Sequence, residues 1–240
     1  MVGDAGREWA LKTFGQDGVL IREQIPAIIR ECHEKMANSQ AAAEMPHAGP
    51  YGYIWRKCLY EFSRVLGKLP TAEVISVPGY KLVAFNGVVL FPWRFAKEST
   101  VEIESRRFAV SGTRLSLFTG QHGDPHSLLP IEFDHPELTD TEREFLDEAA
   151  KTLADTFDGN ARVVVVPYAS NPSALHSIGW GEAALGADGF LTFETFESLL
   201  DVGRGSLVEV DAVDEAFSDG PIPRPQLGVK QDDEIGEAHA

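Results

Sequence analysis

Residues 80–95 read YKLVAFNGVVLFPWRF. Two apolar runs flank Asn86-Gly87, and both of those residues tolerate the positive φ of a type I′ turn, so the stretch predicts a β-hairpin. With Asn86 and Gly87 as the loop, Phe85 faces Val88, Val83 faces Leu90 and Lys81 faces Pro92. Leu82, Ala84, Val89 and Phe91 then point the other way, with Tyr80 and Trp93 beyond them. A hairpin apolar on both faces belongs inside a sheet that is covered on both sides. The same register places Lys81 and Arg94 on one face at the open end.

Outward from the hairpin the pattern stays β. Glu73 to Val77 forms a preceding strand, and two more, Val101–Phe108 and Thr113–Phe118, are expected around Ser111-Gly112. The alternation of Val101 and Ile103 with Glu102 and Glu104 reads as a half-exposed edge. A helix over 139–158 is signalled by the capping box of Thr139 and Glu142. It leads into the continuous apolar run Val163–Val166, the pattern of a crossover to an interior strand. A closing hairpin joins residues 180–185 to 189–196.

Before the sheet the period changes to that of helices. Residues 6–14 suit a short helix. Ile21, Ile25, Ile28, Ile29, Cys32 and Met36 line one face of a second, with Pro26 placed in its first turn and the regular helix over about 24–44. A third spans about 51–68, with Ile54, Cys58, Leu59, Phe62, Val65 and Leu66 as its stripe and Gly67 as its cap. The predicted fold is a three-layer α+β domain: a mainly antiparallel central sheet of five to seven strands, N-terminal helices on one face and one crossover helix. The domain covers 1–210, helical over 1–70 and sheet over 71–200. From 211 to 240 the chain is acidic and proline-rich, and a disordered tail is expected there.

Hydrophobic residues make up 43% of the 240, which is enough for a sizeable core. No apolar run approaches the ~20 residues of a membrane span, and a signal-peptide pattern is not seen, so a cytoplasmic protein is expected. Cys32 and Cys58 fall on helix stripes and read as buried reduced thiols. The net charge of −16 argues against nucleic acid, but it is unevenly placed. Residues 209–240 hold nine acids and two bases, whereas 51–114 hold ten bases and five acids.

No motif in the chain fixes a reaction. A phosphate loop and a nucleophile elbow are both missing, Gly179-Trp180-Gly181 has its third glycine two residues late, and no cofactor is expected. Glu102 and Glu104 have the spacing to share a cation on a strand, but the Glu-x-Lys of a nuclease does not occur. The densest set of potential metal ligands is His122, Asp124, His126, Glu132, Asp134 and His135, in a stretch with Gly123, Pro125 and Pro136. Tyr168, Ser170 and Asn171 are placed just past the end of the buried strand, followed by His176, Trp180 and Glu182. Ligands gather outside the carboxyl ends of parallel strands, so these six mark a candidate pocket. Within it, Ser170 and His176 are nucleophile and base only if an orienting acid joins them.

The remaining signal is basic. Arg56, Lys57, Arg64 and Lys68 share a helix with Tyr53, Trp55 and Tyr60, and Lys81, Arg94, Lys97, Arg106 and Arg107 come from neighbouring strands. Such a face engages an acidic protein partner or a nucleic acid, unless the protein's own carboxylates neutralise it. The sequence therefore favours a non-enzymatic binding or regulatory protein using this face. A metal-dependent phosphodiesterase or nuclease built on His122–His135 is the alternative, and a small-ligand sensor with its pocket near Tyr168 and Trp180 is the third reading.

Overall fold

The computed structural model describes residues 4–45, 49–77, 80–108, 118, 162–186 and 188–203. They all belong to the first of two units, which spans residues 1–205. The expected strand over 113–118 (Phe118 apart), the His122–His135 cluster, the crossover helix over 139–158 and the acidic segment from 211 lie outside the described residues.

The hairpin forms as read. Strand β2 (Tyr80–Phe85) pairs antiparallel with β3 (Val88–Ala96), with Phe85 opposite Val88 and Val83 opposite Leu90. Asn86 and Gly87 take φ of 51° and 76°, the conformation that makes Asn-Gly the preferred pair. The ladder stops at Val83–Leu90, two residues before Pro92, which has no N–H to donate. Strand β1 (Ala72–Val77) pairs antiparallel with β2 at the sheet edge.

Strand β4 (Arg162–Asn171) lies beside β3 and parallel to it, with Val163 opposite Val89 and Val165 opposite Phe91. A parallel neighbour requires the chain to cross over between them, as the continuous apolar run implies. Strand β5 (Ala174–Leu185) returns antiparallel to β4. Beyond it come the short β6 (Leu191–Phe193) and β7 (Glu197–Ser198), both paired with β5. The order β1-β2-β3-β4-β5-β6 makes a mixed sheet, antiparallel except at its centre.

Alternate residues of the central strands feed two cores, as period 2 dictates. Val83, Phe85, Val88, Leu90, Val164, Val166, Tyr168, Ile178 and Trp180 face the helices. Leu82, Ala84, Val89, Phe91, Trp93, Val163 and Val165 face the other way, where Phe108 and Phe118 cover them. Helices α1 (Ala5–Phe14), α2 (Gly18–Ala43), the single turn α3 (Gly49–Gly52) and α4 (Ile54–Val65) supply the first cover. The α+β architecture with N-terminal helices on one face is therefore present.

Three local expectations are corrected. Helix α2 begins at Gly18, so Pro26 lies inside it instead of in the first turn. An interior proline costs about 3 kcal/mol. Ile21, Ile25, Ile28 and Ile29 are all buried, at about 1.5–3 kcal/mol each, and outweigh it. The helix predicted over 51–68 is divided: Tyr51 belongs to α3, α4 ends at Val65, and Leu66–Lys68 form a 3₁₀ turn. Residues 101–108 make no strand. Ile103–Ser105 form a 3₁₀ turn, and Ser105 Oγ donates to the Glu102 carbonyl at 2.6 Å, so Glu102 and Glu104 do not share a strand face.

Candidate functional site

Helix α4 turns Ile54, Cys58 and Phe62 inward at three- and four-residue spacing, and all three are buried. The opposite side is thereby left to Tyr53, Arg56, Lys57, Tyr60 and Arg64, with Trp55 on its flank. Tyr53, Trp55 and Tyr60 are 60%, 41% and 59% exposed. Exposed aromatics at this density are informative, because large rings are normally withdrawn from water. The Arg56 guanidinium lies 5.5 Å from the Trp55 ring centre, and Lys57 Nζ lies 5.4 Å from that of Tyr60.

Glu61 breaks the positive run. Its carboxylate is buried and accepts from Lys57 Nζ at 2.6 Å and Arg64 Nε at 2.5 Å. Burial pushes this carboxyl up, but the two cations outweigh it and hold Glu61 below the usual carboxylate range. The spacing Lys57–Glu61–Arg64 is that of helical i,i+4 and i,i+3 pairs. Arg56 and Lys68 are exposed and make no ion pair among the described residues. Lys81 is exposed on β2, the strand against which α4 packs.

The other predicted cations do not join this face. Arg94 is half-buried, donates to the Ser170 carbonyl from Nε at 3.0 Å and Nη2 at 2.6 Å, and lies 5.0 Å from the Tyr51 ring centre. Arg106 and Arg107 lead into Phe108, which is buried against Phe91 and Trp93 on the sheet face away from the first core.

The candidate pocket is rearranged as well. Because β4 continues to Asn171, Tyr168 and Ser170 lie within the strand, and both are fully buried. Ser170, Asn171 and His176 come together at the carboxyl ends of β3 and β4, where Arg94 meets them. Asn171 Nδ2 donates to His176 Nε2 at 3.0 Å and to the Lys97 carbonyl at 3.1 Å. Trp180 and Glu182 lie elsewhere. Trp180 is in the helix-side core, donating to Glu197 Oε2 at 2.8 Å, and Glu182 pairs with Arg162 at 2.5 Å. An open, largely apolar depression between α1 and β7 is lined by Trp9, Trp180, Phe196 and Glu197.

Two members of the polar cluster are new. His33 of α2 has Nδ1 2.7 Å from the Tyr51 hydroxyl, and Tyr51 of α3 is fully buried. Burial, with His176 and Arg94 nearby, lowers the His33 pKa and favours the neutral ring. Burial raises that of Tyr51. No sequence pattern marks His33, which only adjoins Cys32 of the apolar stripe. Behind this cluster Cys32 and Cys58 are buried and unbridged, and burial, with Cys32 as neighbour, pushes the Cys58 thiol well up. Among the described residues no group of three or more His, Cys, Asp or Glu side chains is placed to hold a metal ion, and no helix is long and apolar enough to cross a membrane. No family model matches this chain, and no curated protein and no solved structure matches it either.

Proposed function

We propose that this is a non-enzymatic binding protein that docks an acidic protein partner on the outer side and one flank of α4, through Tyr53, Trp55, Arg56, Lys57, Tyr60 and Arg64. The observation that carries the reading is the exposure of three aromatics beside cations along α4 and at its N-cap, with Tyr53, Arg56, Tyr60 and Arg64 on the outer side and Trp55 on the flank. Tyr, Trp and Arg are the residues that supply most binding energy at protein interfaces. The Trp55 and Tyr60 rings each lie against a neighbouring cation, so less entropy is lost on docking.

Charge selects the class of partner. A nucleic acid brings a long run of phosphates against a molecule of net charge −16. A compact acidic patch needs only the local field of α4, because charges beyond about 8 Å are screened at physiological salt. The buried Glu61 leaves the face moderately positive, which suits a partner combining a few carboxylates with an apolar anchor. We place the protein in the cytoplasm, a setting in which two buried thiols stay reduced.

The test is fluorescence anisotropy with a labelled peptide of alternating glutamate and aromatic residues, at low and at physiological salt. Arg56→Glu combined with Tyr60→Ala is expected to weaken binding about tenfold or more, since both groups act directly and neither partners Glu61. Unchanged affinity overturns the docking role.

A further inference from the structure

The carboxyl ends of β3 and β4 hold features that docking on α4 does not use. Arg94 is half-buried and makes no ion pair among the described residues; its Nε and Nη2 are committed to a backbone carbonyl and its guanidinium lies by the Tyr51 ring. A charge drawn out of water without an opposite charge is costly, and proteins pair such groups. Ser170 Oγ is fully buried, and its polar neighbour is the Tyr51 hydroxyl, which also meets His33 Nδ1.

The two imidazoles lie near these groups. Asn171 Oδ1 accepts from the Ser173 and Ala174 amides, each at 2.9 Å, which fixes which end of the side-chain amide is oxygen. Its Nδ2 must then donate to His176, so His176 Nε2 accepts and the neutral ring carries its proton on Nδ1. His33 uses Nδ1 toward Tyr51, leaving Nε2. Two rings, one guanidinium and one hydroxyl are thus neighbours where β3 and β4, the parallel pair, end. Ligands collect at that position in sheets with parallel strands.

We propose that His33, Arg94, Ser170 and His176 form a binding site for a small oxyanion group, a carboxylate or a phosphate. The ligand supplies the negative charge that Arg94 lacks, taking a guanidinium N–H not used on the Ser170 carbonyl. The Ser170 hydroxyl and an imidazole N–H complete the shell. Charge-assisted bonds of this kind are the strong ones.

The experiment follows the histidine side-chain nitrogens of the full chain by NMR. Inorganic phosphate and, separately, acetate are titrated against a constant chloride background. Saturable shifts of His33 and His176 are expected with at least one anion, and which anion saturates tells phosphate from carboxylate recognition. Arg94→Gln is expected to weaken binding about tenfold or more. Because Arg94 also fastens the end of β4, Ser170→Ala is the second variant; it keeps the carbonyl and should weaken binding about threefold to tenfold. No saturable shift with either anion overturns the proposal, as do shifts that both variants leave unchanged.

Discussion

Replacing Trp180 with alanine is expected to destabilise the folded chain by about 3–5 kcal/mol. For a chain of this size that lowers Tm by about 6–20 °C. Trp180 is fully buried and stacks on Phe14 at 5.5 Å, with Trp9 edge-on at 4.8 Å. Its indole Nε1 donates to Glu197, which also accepts from Arg22 of α2 at 2.5 Å. One ring therefore ties α1 to β5, and through Glu197 it ties α2 to β7. Alanine opens a cavity and removes a donor from a carboxylate that is only partly exposed. Trp180→Phe keeps most of the volume and loses the hydrogen bond, so it should cost about 1–3 kcal/mol. Urea unfolding of the two variants checks the order. If alanine and phenylalanine cost the same, the packing account of this position fails.

Glu61→Gln is expected to lower stability by about 1–2 kcal/mol near neutral pH, after discounting for the solvent exposure of its two partners, and to tighten binding of an acidic peptide. The Lys57 and Arg64 side chains are 30% and 43% exposed, whereas that of Glu61 is 5% exposed. The folded-state pKa of Glu61 is depressed. The stability it contributes is therefore present above the unfolded pKa and lost as pH falls through the folded one. The gap between wild type and variant should close on acidification through and below the ordinary carboxylate range, near 4.3 for an unperturbed glutamate. A gap that stays constant with pH contradicts this. On the binding side, removing one carboxylate frees two cations on the docking face, and a peptide that binds no tighter to the variant would separate Glu61 from that face.

How much of this was legible depended on the range of the interactions. The hairpin was, because Asn86 and Gly87 decide it between themselves. The crossover into β4 was, because Val163–Val166 is apolar on both faces. The strand's continuation to Asn171 was hidden by Pro167, which reads as a breaker, although Trp93 of β3 lies opposite it in the parallel ladder. Pro26 concealed the start of α2 in the same way, since burial of the flanking isoleucines is not a local property. Alternating Val101, Glu102, Ile103 and Glu104 imitated a strand; a Ser105 side-chain bond favours the 3₁₀ turn instead.

For the site the division is similar. Ser170, Asn171 and His176 lie close in sequence, and their convergence was readable. Arg94, 76 residues before Ser170, reads in the sequence only as one of the cations of the basic face. His33 and Tyr51 carried no pattern of their own, because what brings them to β4 is the packing of α2 and α3 on the sheet. The partial neutralisation of α4 by Glu61 was present in the spacing, since Lys57 and Arg64 flank it at helical distances.

The most direct test of the docking role is the indole Nε1–H of Trp55, followed by NMR while the acidic peptide is added. Docking on α4 predicts a saturable shift of Trp55 with Trp93 and Trp180 unmoved, abolished by Arg56→Glu and weakened by salt. A peptide that binds without moving Trp55, or single-stranded DNA that moves it at lower concentration than the peptide, contradicts an acidic protein partner on this helix.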